Sequence, residues 1–332
     1  MGRVYIITGA NGHLASTLIR YLRREDCRIR GLIPPWEQGE NDDQLMFYRG
    51  DVSKMASLQE VFSGLEKDEV VVVHAAGIIS IDSKATPMLY RVNVKGTQNV
   101  VEMCLRSGIH RMPYVSSVHA IPEMDGRATI SETNQFSKDL VYGAYAATKA
   151  QATQSVLNAV ARGLDAVVVH PSGIIGPYNG GDNYIVQLIQ LYLEHKLPAA
   201  VNGGYDFVDV RDVAKGCLLA LQKGRTGACY ILSNRYFSIQ ELLTYTQRAA
   251  GGRGKLYLPT GLARALVPVF SLIAKVRRTR PLYTSYALHT ISSNEHFSHD
   301  KASAELGYQP RDMMETIRDT VDYLQGKDVP LR

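Results

Sequence analysis

The chain has 332 residues, 45% hydrophobic and 21% charged, with 37 lysines and arginines against 32 carboxylates and a formal net charge of +5. That length buries a large core in one or two domains, and the balance is ordinary for a soluble globular protein rather than a low-complexity chain. The basic residues are scattered apart from one cluster at 275–280, without an aromatic-interleaved face, so nucleic acid is not expected as a partner.

Residues 4–7 (Val4, Tyr5, Ile6, Ile7) read as a strand buried on both faces. Thr8-Gly9 breaks it, and from Leu14 the apolar positions Leu18, Ile19 and Leu22 follow at helical spacing. Strand, glycine turn and helix in that order form the context of a dinucleotide-binding loop, in which Gly9 allows the turn and Gly12 lets backbone approach a pyrophosphate. Further strands are expected at 28–33, 44–48, 70–73, 114–117 and 166–170. Helices are expected at 55–65, capped by Ser53, and around 90–107 and 145–162. The alternation predicts an α/β doubly wound parallel sheet with helices on both faces. Beyond Pro171 it loosens into a glycine-rich loop at 172–181, a short strand at 207–210 and a sheet strand at 229–232. Helices are expected there at 184–194, 211–222, 239–250, 262–275 and 314–324. This divides the chain into a dinucleotide-binding domain at 1–171, with returning segments near 205–234, and a smaller lid at 172–204 and 235–332. Cys27, Cys104, Cys217 and Cys229 form no CxxC pair and read as reduced thiols of a cytoplasmic protein, with no metal site. No signal peptide precedes the first strand. The apolar run 262–274 is too short to span a bilayer and reads as a cover over the substrate, a membrane surface contact being the other reading.

Tyr145 and Lys149 lie four apart, on one helix face. A nearby cation favours phenolate and is expected to lower the tyrosine pKa, which suits a group passing a proton to or from a carbonyl or alcohol oxygen. Ser116 and Ser117 end a buried strand, so a hydroxyl is expected at the sheet's carboxyl edge.

These residues resemble the extended short-chain dehydrogenase/reductase family, in its dihydroflavonol-reductase-like and 3β-hydroxysteroid-dehydrogenase-like branch. The likeness covers nearly the whole chain. It rests on Thr8-Gly9-x-x-Gly12-x-x-Ala15, Asp51-Val52, His74-Ala75-Ala76, Asn93-Val94-x-Gly96-Thr97, Ser116-Ser117, Tyr145-x-x-x-Lys149, His170-Pro171-Ser172-Gly173-x-x-Gly176-Pro177 and Phe207-Val208-Asp209-Val210-x-Asp212-Val213-Ala214. The resemblance implies a Rossmann fold and a catalytic set of Ser117, Tyr145, Lys149 and Asn93. Tyr145 would move the proton, Lys149 would hold the nicotinamide ribose, Ser117 rather than Ser116 would polarise the carbonyl, and Asn93 would be structural or part of a relay. It implies a cofactor set of Thr8, Gly9, Asn11, Gly12, His13, Leu14, Asp51, Val52, Ala75, Ala76, Tyr145, Lys149, Pro171 and Ser172, and a homodimer.

Three positions depart from the family's pattern. Ala15 replaces the third glycine. Pro113 cannot donate to a sheet ladder, which predicts a local distortion in the serine strand. The second strand ends in Ile33-Pro34-Pro35-Trp36-Glu37, with neither an acid nor an arginine at its tip, so the cofactor is NAD or NADP with a lean to NAD. The expected activity is reduction of a ketone or aldehyde, or oxidation of a secondary alcohol, on a small hydrophobic substrate. Ile78, Ile79, Ile81, Val118, Ile121 and Tyr178 are its candidate pocket. The alternative is a nucleotide-sugar epimerase or dehydratase with tightly held NAD, for which Arg211, Arg235 and Arg253 are the cations available to a diphosphate. A cofactor-binding scaffold without catalysis is the third reading, opposed by the intact Ser–Tyr–Lys set.

Overall fold

A computed structural model describes every residue except 1, 67, 82–85, 125–127, 180–182, 198, 252–256, 264, 266, 268–283, 294–295 and 332. The strands are β1 (Arg3–Thr8), β2 (Arg28–Ile33), β3 (Leu45–Arg49), β4 (Glu69–His74), β5 (Met112–Val115), β6 (Ala166–Pro171), β7 (Gly173–Ile175), β8 (Ala200–Val201), β9 (Gly204–Asp209), β10 (Cys229–Leu232), β11 (Arg235–Ser238) and β12 (Tyr257–Leu258). Seven of them form one sheet in the order β10-β6-β5-β4-β1-β2-β3, with parallel neighbours throughout. Alternation along β1 and β4 explains why both are apolar from end to end. Val4, Ile6, Val70 and Val72 enter the core on one face, and Tyr5, Ile7, Val71 and Val73 enter the core on the other.

The helices α1 (His13–Leu22), α2 (Gln59–Phe62), α3 (Pro87–Tyr90), α4 (Thr97–Arg106), α5 (Ala144–Val160), α6 (Tyr184–Leu193), α7 (Val210–Lys223) and α8 (Ile239–Ala250) follow in chain order, with three more at Ser285–Thr290, Asp300–Leu306 and Met313–Leu324. Of two expected helices, one is shorter than read and the other is continuous but carries a π-type turn. The one at 55–65 is a 3₁₀ turn (Met55–Leu58) running into α2, and Ser53 does not cap it, because the cap position falls on Lys54. The one at 90–107 becomes α3, a π-type turn over Arg91–Gly96, and α4. At that turn Gly96 lies against Val52, where a Cβ would come within 2.7 Å of its side chain. Most of the expected helix at 262–275 lies outside the described residues, as does the basic cluster at 275–280.

Pro113 leaves the predicted mark. Four residues of β5 pair with β6, but toward β4 the ladder is reduced to His74↔Tyr114 and a separate Val71↔Arg111 bridge, one on each side of the proline. The strand expected at 207–210 is β9. It does not join the large sheet but is the centre of a smaller one, β11-β9-β7, antiparallel to β11 and parallel to β7. β7 lies inside the segment read as glycine-rich loop. Its Gly173 is what lets β9 approach, since a Cβ there would sit 2.8 Å from the rings of Tyr205 and Phe207. β10 does return to the large sheet, at its edge beside β6. Below the small sheet Arg211, fully buried, donates to Asp209 at 2.7 Å and to Asp319 at 2.7 Å, tying α7 to the helix at Met313–Leu324. All four cysteines are free and buried. Among the described residues no helix is long and apolar enough to cross a membrane, and no cluster of ligating side chains is arranged for a metal.

Candidate active site

The carboxyl ends of β1, β4, β5 and β6 come together along one edge of the large sheet, and the sequence motifs collect there. β1 turns at Gly9, whose φ of +71° and contact with the chain after β4 both require glycine; a Cβ there would lie 2.9 Å from the Ala76 Cα. Gly12 closes the turn with an N–H to the Gly9 carbonyl at 2.8 Å and then serves as N-cap of α1. No side chain caps α1, so the N–H groups of its first turn stay available to an anion. Leu14 and Ala15 face the core.

Thr8, His74, Thr97 and Asn93 make one buried chain of hydrogen bonds. The Ala76 N–H donates to Thr8 Oγ1 (3.1 Å), which lies 2.8 Å from His74 Nδ1; His74 Nε2 lies 2.9 Å from Thr97 Oγ1, whose hydroxyl donates to the Asn93 carbonyl at 2.7 Å. The fixed donors at both ends assign the tautomer, with Nδ1 accepting and Nε2 donating. Burial pushes His74 down to about 3, which keeps it neutral. Thr8 is thus turned inward to set the 75–77 segment. Asn93 acts on the next residue along. Its Oδ1 accepts from the Ile78 N–H (2.8 Å), and its Nδ2 donates to the Ile78 carbonyl (3.0 Å) and to Thr148 Oγ1 (3.1 Å). Its amide is therefore occupied in joining the loop after β4 to α5.

On α5, Tyr145 and Lys149 are both buried. The Lys149 ammonium donates to the Val115 carbonyl at 2.9 Å, and burial pushes it down to about 8. The expectation that Lys149 depresses the tyrosine does not hold here. Burial raises the Tyr145 phenol to about 12, opposed by a hydrogen bond with Ser117, so desolvation outweighs that bond. The two serines part company. Ser116 Oγ pairs with Thr153 Oγ1 at 2.6 Å, and Thr153 in turn donates to the Lys149 carbonyl. Ser117 faces Tyr145 and caps the short turn Val118–Ala120, accepting from the His119 N–H at 3.3 Å.

The remaining expected cofactor residues divide by direction. Ala75 and Ala76 lie half-buried beyond β4, and Pro171 and Ser172 are buried beyond β6, with Ser172 donating to Asp206 at 2.6 Å. Asp51 binds the Ser53 N–H, and the Val52 carbonyl accepts from Asn99 at 2.9 Å. His13 turns toward the second part of the chain, Nε2 to the Pro177 carbonyl at 2.7 Å and Nδ1 to Asn183 at 3.3 Å. Asn11 donates to Glu37 at 2.9 Å and to the Gln38 carbonyl at 3.1 Å. Glu37 is brought there by a turn whose N–H binds the Pro34 carbonyl at 3.0 Å. An acid therefore does stand over the glycine loop, four residues beyond the strand tip, while Arg30 points the other way, to the carbonyls of Val61 and Ser63.

These residues fit a dinucleotide. Gly9 and Gly12 leave backbone bare at an uncapped helix N-terminus. Gly77 lies beside the ammonium, where a Cβ would be 3.5 Å from the Lys149 Nζ. The ammonium has three protons and one protein acceptor among its described hydrogen bonds, leaving donors for ribose hydroxyls.

Sequence reasoning named Val118 and Ile121, on either side of His119, for the pocket but missed the aromatic wall beside Tyr145. His119 packs edge-on to Tyr145 with ring centroids 5.8 Å apart and stacks on Tyr205 at 5.6 Å, and Tyr286 and Tyr142 continue the wall. His119 lies two residues from Ser117, which was a signal; Tyr205 and Tyr286 come from distant elements that no spacing connects to it.

The profile of the NAD dependent epimerase/dehydratase family matches residues 5–233. A putative dihydroflavonol 4-reductase of Synechocystis is 30% identical, covering 98% of this chain and 96% of the relative. 3 beta-hydroxysteroid dehydrogenase type 7 of Mus musculus is 27% identical over 98% and 96%. Among solved structures, the crystal structure of gox2253 superposes with a TM-score of 0.80 at 27% identity, covering 97% of this chain and 98% of that one.

Proposed function

The chain belongs to the NAD dependent epimerase/dehydratase family and is an NAD(P)-dependent oxidoreductase of the extended short-chain type, and from that premise we propose that it interconverts a ketone or aldehyde and its alcohol on a hydrophobic small molecule. The observation that carries this reading is the meeting of Ser117, Tyr145 and Lys149 at the sheet's carboxyl edge, beside a wall of aromatic rings rather than cations. A nucleotide-sugar substrate needs cations for its diphosphate. Arg211 is sealed into buried ion pairs, and Arg235 binds the Tyr236 carbonyl and lies over the Phe237 ring; Arg253 is outside the described residues.

Bound NAD or NADP supplies the hydride acceptor or donor. The chain supplies the rest. Gly9, Gly12 and the start of α1 receive the pyrophosphate, Lys149 holds the ribose, and Glu37, accepting hydroxyls and repelling phosphate, favours NAD. Ser117 donates to the substrate oxygen and lines it up with Tyr145. A phenol held near 12 is protonated across the neutral range, so Tyr145 is ready to give its proton as charge develops on that oxygen. Two relatives are named for a dihydroflavonol and a 3 beta-hydroxysteroid, which supports a substrate that packs on the aromatic wall. A lid formed by 172–204 and 235–332, and a homodimer, complete this proposal.

The test is Tyr145→Phe, assayed on aromatic and aliphatic ketones with NADH and NADPH. Turnover should fall by about 10² to 10⁴-fold with cofactor affinity kept. Full activity in that variant would assign the proton to another group.

A further inference from the structure

His119 lies half-buried against Tyr145 yet takes no part in the proton transfer proposed above. Both of its ring nitrogens are engaged. Nε2 lies 3.0 Å from the Tyr205 hydroxyl on β9, and Nδ1 lies 3.3 Å from the Tyr286 hydroxyl on the helix Ser285–Thr290. A neutral imidazole donates from one nitrogen and accepts at the other, so its two phenol partners take opposite roles. Burial lowers His119 to about 4, which preserves that arrangement at neutral pH.

What hangs on this ring is the outer side of the site. Tyr286 lies over the first residue before α5, where a Cβ on Gly143 would be 2.4 Å from its ring, and it stacks on Tyr142. Its helix is fastened at two more points, Thr284 to the Ile81 carbonyl at 2.6 Å and His289 to Glu123 at 3.2 Å. Those anchors lie on the segments that follow β4 and the serine strand. His119 is thus where the chain after Ser117, the small sheet and the helix Ser285–Thr290 are joined, within ring contact of the proton-carrying tyrosine.

We propose that His119 is a positioning residue of this enzyme: by bridging the hydroxyls of Tyr205 and Tyr286 it fixes the substrate-side wall against the edge of Tyr145, and so sets where the substrate oxygen lies relative to Tyr145 and Ser117. The inference rests on the reading of Tyr145 as the proton donor. It makes His119 a determinant of turnover and of carbonyl-substrate KM, and leaves the dinucleotide side untouched.

The experiment compares wild type with His119→Phe, His119→Gln, Tyr205→Phe, Tyr286→Phe and Tyr145→Phe, by steady-state kinetics on one ketone reduced with NADH and by NADH fluorescence titration. His119→Phe keeps a ring and loses both bonds. Its kcat/KM for the ketone should fall about ten- to a hundredfold, a misplacement effect, with NADH affinity unchanged. His119→Gln, which replaces Nε2 by an amide able to reach Tyr205, should recover part of that loss. Each tyrosine variant should lose less than His119→Phe, and adding either to His119→Phe should cost nothing more. If His119→Phe does not fold, Tyr205→Phe and Tyr286→Phe decide the matter through the same readouts. Wild-type kcat/KM in His119→Phe, or in both tyrosine variants, overturns the proposal, as does a loss that tracks NADH binding. Tyr145→Phe separates the two claims: if it is inactive while the His119 set is unaffected, only the positioning role fails, whereas its full activity removes the underlying function.

Discussion

Within the site, neighbouring residues of the same type do different work, and direction decides which. Ser116 spends its hydroxyl on Thr153, whereas Ser117 faces Tyr145. Ser117→Ala should therefore lower turnover by about 10²-fold, as loss of an oxyanion donor does, with NADH affinity kept. Ser116→Ala should cost stability instead, about 1 kcal/mol for a buried hydrogen bond, read as a lower denaturant midpoint. Lys149 gives a pH signature. Burial lowers it to about 8, so its positive charge is present below that pH and lost as pH rises through it. Ketone reduction should be flat through neutrality and decline above about 8, mainly through weaker cofactor binding. In Lys149→Ala that limb should vanish from the profile along with most of the affinity; a limb that persists would belong to another group. Spacing alone picked out Tyr145 and Lys149, but the direction of the tyrosine's shift depends on burial, which spacing does not report.

At the scale of elements, the glycine turn and the segment after β2 form one dinucleotide end. Gly12 sits so close to the Gly9 carbonyl that a Cβ would be 3.0 Å from it. Gly12→Val should abolish NADH binding while circular dichroism stays that of the wild type; unchanged affinity in fluorescence titration would remove the loop from the cofactor site. The neighbouring turn sets the preference. Because Pro34–Glu37 folds back, the acid that reaches Asn11 is Glu37. Glu37→Arg should raise the NADPH to NADH ratio of kcat/KM by at least about tenfold, because it replaces a carboxylate by a guanidinium that pairs with a 2′-phosphate. No shift in the ratio would mean that this turn does not face the ribose.

For the molecule as a whole, the buried histidines make stability depend on pH. His74, His119 and His170 are lowered by burial from 6.5 to about 3, about 4 and about 4. Below 6.5 the unfolded chain takes up these protons and the folded chain does not, so their contribution is complete above 6.5 and is lost as pH falls. Asp206 opposes them. Burial raises it to about 7 from 3.8, so between those values the folded chain holds one proton more. Burial also lowers His13 and raises Asp212, so the histidines still outnumber the carboxyls, unfolding takes up protons near pH 5.5, and stability falls as pH falls. Urea unfolding at pH 6.5 and 5.0 reads this directly. A stability that does not fall across that interval would show that the three imidazoles are not held neutral together.

Much of this was legible in the residues by themselves. The apolar runs and glycine punctuation of the first 171 residues determine the doubly wound sheet, because parallel strands covered on both faces must be apolar from end to end. The loop motif and the Tyr145–Lys149 pair follow from local geometry, one turn or one helix face, which sequence spacing encodes. Pro113 announces its broken ladder because a missing N–H is a property of the residue. Beyond residue 171 the residues placed the return of 229–232 to the large sheet, and the tertiary structure alone decided where the strands around it go. β7, β9 and β11 build their own sheet, and only there does Arg211, held by Asp209, meet Asp319. It also decided which hydroxyl of the serine pair faces Tyr145, that Glu37 reaches Asn11, and that His119 lies between Tyr205 and Tyr286. Each of these is a contact between segments far apart in the chain, selected by packing and desolvation, and neither composition nor periodicity carries that information.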